Sequence, residues 1–194
     1  MPRKISYKKK DIEDAAFEFV RKNGHEALNA RAVAAQLGCS TQPIFSNFHN
    51  MQELMDCVLK RSLEAYNKTV ANEMADPNYP SPYKAVGMGY IKFAMNEKNL
   101  FKLLFMRDRT TEEKTHVEDS TFVEVLPHIM KALNTTEEMA TKFHLSMWVV
   151  VHGIASMIAT SYYDWNLEMA SQMISEAFVG IRNTIIGENN GKHN

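Results

Sequence analysis

Cysteine is scarce in this 194-residue chain, with two residues, and glycine and proline number only eight and six. Cys39 and Cys57 lie too far apart for a metal knuckle or redox pair, and two cysteines make no secreted framework, so both are expected reduced, in the cytoplasm. The low Gly and Pro content, beside 45% apolar residues, excludes a collagen-like or disordered chain. Net charge is nearly absent as well, with 22 Lys and Arg against 23 Asp and Glu. The first ten residues hold five bases (Arg3, Lys4, Lys8, Lys9, Lys10) and no acid, but no apolar run follows, so a secretory signal is not expected. From Phe143 to Tyr163 there is no Asp, Glu, Lys or Arg over 21 residues, long enough for a bilayer. His144, Ser146, His152, Ser156, Thr160 and Ser161 would carry polar groups into hydrocarbon, so a helix buried in protein is expected there, with no membrane partner.

Strand-type alternation is also missing, and helical periodicity fills its place. Ile12, Ala15, Ala16, Phe19 and Val20 form one face of a helix ending near Asn23-Gly24, where the glycine is expected to supply a left-handed cap. Asn29 predicts the cap of a short helix through Val33, Ala34 and Leu37 that stops at Gly38. Ser40 predicts the cap of a third, carrying Ile44, Phe45 and Phe48. Asn50-Met51-Gln52-Glu53 has capping-box spacing and opens a long helix to about Met74. Three of the six prolines follow in Asp76–Pro82, after which Ser81 and Pro82 start another helix. Tyr90–Met106 reads as one aromatic-rich helical stretch, Arg107–Asp119 as a polar connection, and Val123–Leu133 as helical despite Pro127. Thr135–Glu138 offers a second capping box for a helix to about Tyr163, and Asn166 caps a last one to Ile186, with Gly187 as its stop. The expectation is an all-α chain: a helix-turn-helix domain over 1–50, a helical bundle over 51–194, and helix 51–74 connecting them.

The segment Leu28–Phe48 has the spacing of a helix-turn-helix, with the Gly38 turn and apolar Val33, Leu37, Ile44 and Phe48 locking two short helices together. The second helix then presents Thr41, Gln42, Pro43, Ser46 and Asn47 outward, where Gln and Asn match adenine edges and Ser and Thr several edges. Residues 1–61 carry ten bases and seven acids, against twelve and sixteen in 62–194, so the two parts are expected to meet different partners. Lys8, Lys9 and Arg31 suit phosphates, which fix register on a duplex.

At these residues the chain resembles the TetR family of one-component transcriptional regulators. The run from Leu28 to Phe48, with its apolar, Gly-x-Ser (Gly38, Ser40) and aromatic-x-x-Phe (Phe45, Phe48) positions and the following Glu53-Leu54, is similar to the family's DNA-binding signature. The resemblance implies recognition-helix contacts to double-stranded DNA at a palindromic operator from Thr41, Gln42, Pro43, Phe45 and Ser46, with Arg31 as a base or phosphate contact; Lys8, Lys9, Ser40, Asn47 and His49 complete the candidate DNA-binding set. One departure is Met51, where the family usually has a phosphate-contacting Lys; His49, Asn50 or the helix N-terminus stands in for it. Asn99–Phe105 and Trp148-Val149-Val150-Val151-His152-Gly153 are similar to a subgroup marked by Trp-x-x-x-His-Gly.

In the second part, Tyr90, Phe93, Phe101, Phe105, Met106, Met147, Trp148 and His152 are candidates for lining a small-molecule pocket, although aromatic and Met stripes at helical spacing more often form an ordinary helical core. The small residues Ser146, Gly153, Ser156 and Thr160, with Ala170, Ile174, Ala177 and Ile181, are candidates for a homodimeric four-helix interface, which the resemblance also implies. It further implies a repressor released by an effector. No Gly-rich phosphate loop, nucleophile elbow or close metal-ligand cluster occurs, so no enzyme, metal or cofactor is expected. The rival reading is a helical protein-interaction module that does not bind DNA.

Overall fold

The computed structural model describes residues 7–110 and 120–191, and among these the regular structure is entirely helical. The helices are α1 (Lys9–Asn23), α2 (Ala30–Leu37), α3 (Gln42–Asn47), α4 (Met51–Met74), α5 (Pro82–Asn96), α6 (Lys98–Phe105), α7 (Ser120–Leu133), α8 (Glu137–Ala159) and α9 (Leu167–Gly191). Arg3, Lys4 and the acidic residues of 112–119 lie outside the described residues.

Two compact units result: Met1–Thr69 with Phe93–Arg107, and Val70–Lys92 with Asp108–Asn194. Most of α4, the helix expected to connect the two parts, and all of α6 fall in the first of these units. Contacts remote in sequence explain this. The Arg21 guanidinium forks onto the Glu97 carboxylate, and the Asn99 amide donates to the Arg21 carbonyl at 3.0 Å.

In the first unit α1 buries Ile12, Ala15, Ala16 and Val20 at helical spacing. Phe17 is buried with them and Phe19 is only half-buried, because the Arg61 guanidinium covers the Phe17 ring at 4.5 Å from its centroid. Asn29 caps α2 by accepting the Ala32 N–H at 3.0 Å. Gly38 (φ 67°, ψ 34°) closes α2 in the left-handed conformation, and the Gly38 and Cys39 N–H groups return to the Ala35 and Ala34 carbonyls. Gly24 also has positive φ, but its ψ of 158° is extended rather than left-handed helical, so α1 ends with a turn away from its axis.

Several ends differ from expectation for local reasons. The residue before α3 is Thr41, not Ser40. At α4, Asn50 accepts the Glu53 N–H at 2.9 Å, but Glu53 accepts the N–H of His49, not of Asn50, so the box is one residue longer than drawn. Tyr90–Met106 is interrupted at Glu97 (φ −130°, ψ 51°). Thr136 rather than Thr135 caps α8. In the second unit, α7 retains Pro127 inside it, α8 packs between α7 and α9, and α9 continues through Gly187 to Gly191.

α8 ends at Ala159, four residues before Tyr163. Ser161 adopts φ 55°, and the Ser161 and Tyr162 N–H groups bond the Ile158 and Met157 carbonyls at 3.0 and 2.9 Å, the double bond of a Schellman stop. A non-glycine residue there bears roughly 1 kcal/mol of left-handed strain. Ser161→Gly relieves it, partly offset by a freer unfolded chain, and is expected to raise the thermal midpoint by about 2 °C. Ser161→Val is expected to lower it, and differential scanning calorimetry of both variants measures the pair. α8 is long and apolar enough to cross a membrane, but its Phe143, Met147, Val151, Ile154 and Ile158 are buried in the protein, as an interior helix requires.

Candidate nucleic-acid interface

The short helix α3 is two-faced. Ile44 and the following Phe48 are buried beside Val33 and Ala34 of α2, while Gln42, Phe45 and Ser46 are exposed. Leu37 is only half-buried; its carbonyl accepts the Tyr7 hydroxyl, tying the chain before α1 to the end of α2. Phe45 has 54% of its surface in solvent, a large apolar side chain that the fold of this unit does not use.

The other candidates divide by how far the protein already occupies them. The Ser46 hydroxyl donates to the Gln42 carbonyl at 2.9 Å and the Asn47 amide to the Pro43 carbonyl at 2.8 Å. Both side chains therefore lie back along α3, and Asn47, like Thr41 and Pro43, is half-buried. Gln42 and Phe45 are left as the long side chains that project from the helix. Ser40 and His49 flank it and are exposed.

Among the cations, Lys9 is committed to structure. Its ammonium pairs with Glu53 at 2.8 Å and lies 4.8 Å from the Phe48 ring centroid. The Lys9 ammonium and then the His49 N–H hold the Glu53 carboxyl below the usual carboxylate range. Glu53 is a carboxylate seated at the start of α4, the end at which a phosphate contact was expected; what remains there is the exposed His49 side chain. Lys8 and Arg31 are exposed, with no ion-pair partner among the described residues. The expected phosphate contact from Lys9 therefore requires breaking an ion pair, whereas Lys8 and Arg31 are available without that cost. The signal missed in the sequence is the Lys9–Glu53 pair, whose members are 44 positions apart.

The proposed pocket residues fall in both units. In the first, Phe93 and Phe101 are fully buried, Tyr66 meets Phe93 and Phe105 edge-on at 5.5 and 5.2 Å, and Met106 is exposed. In the second, Met147 is buried, and Trp148 stacks on His152 with centroids 4.8 Å apart and planes 12° apart. His152 shares a 2.8 Å hydrogen bond with the Tyr90 hydroxyl through Nδ1, and burial pushes its pKa below the ordinary 6.5. None of these eight residues lines the cavity of about 420 Å³ in the second unit, which opens beside Met157, Tyr163, Trp165, Met169, Met173 and Glu176. Aromatic and Met stripes mark core and cavity alike, so spacing alone did not separate them.

The candidate dimer residues differ in how far the single chain covers them. Ala170 and Ile174 are buried within the chain, because the apolar stripe of α9 is already used against α8. Ala177 and Ile181 are half-buried, as are Ser146, Gly153 and Ser156, and Thr160 is exposed. A Cβ on Gly153 or Gly180 would meet open space. Among the described residues, the large apolar side chains that α8 and α9 expose are Leu145, Trp148, Val149, Leu167, Met173 and Val179.

The architecture is that of a TetR-like regulator. It matches the crystal structure of a TetR-like transcriptional regulator from Rhodococcus sp. RHA1 with a TM-score of 0.65 at 16% sequence identity, over 93% of this chain and 98% of that one. Residues 83–177 match the family model described as the tetracyclin repressor-like C-terminal domain. No curated protein matches the sequence significantly.

Proposed function

We propose that the protein is a cytoplasmic, homodimeric transcriptional regulator of the TetR type, a repressor that a small molecule releases from a palindromic operator. The observation that carries this reading is the exposed face of α3, where Gln42 and Phe45 project from a helix whose opposite face is locked by Ile44 and Phe48. Gln pairs bidentately with an adenine edge in the major groove, and Phe contacts the thymine methyl group. Lys8 and Arg31 supply backbone contacts. The regulator fold and the match to a tetracyclin repressor-like C-terminal domain support the same reading.

Two copies reading a palindrome must hold their α3 helices about 34–36 Å apart, one turn of the duplex. The exposed Trp148, Val149 and Met173, with the open Gly153 and Gly180, offer an apolar surface with room for close helix approach. An effector that binds better to a wrongly spaced dimer then releases DNA. The stacked Trp148 and His152 are the residues on which the likeness to the Trp-x-x-x-His-Gly subgroup rests, and membership of that subgroup is part of this proposal.

The test is fluorescence anisotropy on duplexes selected from a random pool, repeated across salt concentrations. Affinity is expected to fall linearly with log salt, because neutralised phosphates release counterions. Lys8→Ala and Arg31→Ala are each expected to reduce the slope by about 1. A salt-independent interaction, or no duplex binding at low salt, would leave the protein-interaction module as the correct reading.

A further inference from the structure

Three elements of the first unit meet at the Lys9 ammonium. Lys9 opens α1, Phe48 and His49 follow α3, and Glu53 lies in the first turn of α4. The Phe48 side chain is buried and its ring centroid lies 4.8 Å from the Lys9 Nζ, so a core residue fixes where this cation stands. That place is the C-terminal end of α3, beside the exposed His49.

The Glu53 carboxylate uses both of its oxygens there. Oε1 accepts the Lys9 ammonium and Oε2 accepts the His49 backbone N–H, each at 2.8 Å, while the Glu53 N–H is held by the Asn50 side chain at 2.9 Å. An ammonium next to a backbone N–H at a helix start is also a donor pair that phosphate oxygens take. Carboxylate and phosphate therefore compete for one cation. Glu53 is tethered through α4 and gives up no translational freedom to hold Lys9, whereas a phosphate arriving at Lys9 meets a second anion on the same nitrogen. A cation whose charge is already matched releases no counterion from a duplex.

We infer that Glu53 is an affinity-setting residue, which withholds the Lys9 ammonium from duplex phosphates and so fixes how much salt a DNA complex withstands. The inference rests on the DNA-binding reading of α3 and deepens it. Because the withheld contact is to a phosphate, its effect is the same on every sequence, unlike the effects of Gln42 and Phe45, which read bases.

Glu53→Gln tests it directly, since the amide oxygen still accepts the His49 N–H while the charge facing Lys9 is gone. Lys9→Met keeps an apolar stem over Phe48 and removes the ammonium. The two side chains are 32% and 48% exposed, so the fold tolerates both changes. Parent, single variants and double variant are compared by fluorescence anisotropy on a random and a selected duplex across a salt series. Glu53→Gln is expected to bind both duplexes about fivefold more tightly than the parent at about 0.1 M salt, and to steepen the fall of log affinity with log salt by about 1. Lys9→Met is expected to cancel that gain in the double variant, yet to change the parent by less than about twofold. An equal gain from Glu53→Gln with and without Lys9 would overturn the inference, because the carboxylate would then act by screened repulsion alone. So would a parent that gains nothing from Glu53→Gln, a gain confined to the selected duplex, or a parent whose slope Lys9→Met lowers by about 1, since Lys9 would then already reach a phosphate. Failure of all four chains to bind any duplex at low salt would instead overturn the DNA-binding reading, and this inference with it.

Discussion

Phe45→Ala is expected to weaken binding to a selected operator by about 5- to 150-fold, the equivalent of roughly 1–3 kcal/mol at one base pair, while the thermal midpoint stays within about 1–2 °C of the parent. Sequence dictates the asymmetry. Ile44 and Phe48 supply the buried side of α3, and Phe45, one position on from Ile44, is rotated about 100° away from it, leaving it 54% exposed. Removing an exposed ring costs the fold little, so a large loss must come from the partner. Affinity for random duplex is expected to be unchanged, because that component comes from phosphate contacts. Gln42→Ala is the companion: it should relax the preference at one base pair without affecting a neighbour. Equal losses on selected and random duplexes would show that Phe45 supports a backbone contact and reads no base.

The local features were legible in the sequence because each is fixed within a few residues. Asn29, Ser81 and Asn166 cap α2, α5 and α9, and Gly38 takes the left-handed turn. Features set over longer distances were not. α6 is placed with the N-terminal unit by Arg21 and Glu97, which are 76 positions apart. Lys9 pairs with Glu53, 44 positions away, a partner that local spacing does not reveal. Ser161 hid the end of α8 because serine does not mark a left-handed residue as glycine does, and Gly187 misled in the opposite sense, since a helix tolerates one glycine at about 1 kcal/mol. The α8–α9 cavity had no signature because its walls come from one turn and two helices, whose methionines look like core until the chain is folded.

The aromatic residues of the first unit give the largest stability effect. Phe101 is fully buried on α6, its ring centroid 5.1 Å from Phe105, which in turn meets Tyr66 of α4. Phe101→Ala removes a ring that its neighbours cannot replace, at an expected cost of about 3–5 kcal/mol. For a chain of this size the midpoint should fall by on the order of 10 °C, read by circular dichroism at 222 nm, and Phe101→Leu should lose much less. α6 lies in the same unit as α1–α3, so DNA binding should weaken with the loss of folded protein and recover fully on cooling below the new midpoint. The same variant separates the two roles the sequence left open for Phe101. A core residue shifts the midpoint and leaves effector response intact in the folded fraction; a pocket residue abolishes the response with the midpoint nearly unmoved. Zero exposure and a ring chain running through Phe105 to Tyr66 place the expected result with the core.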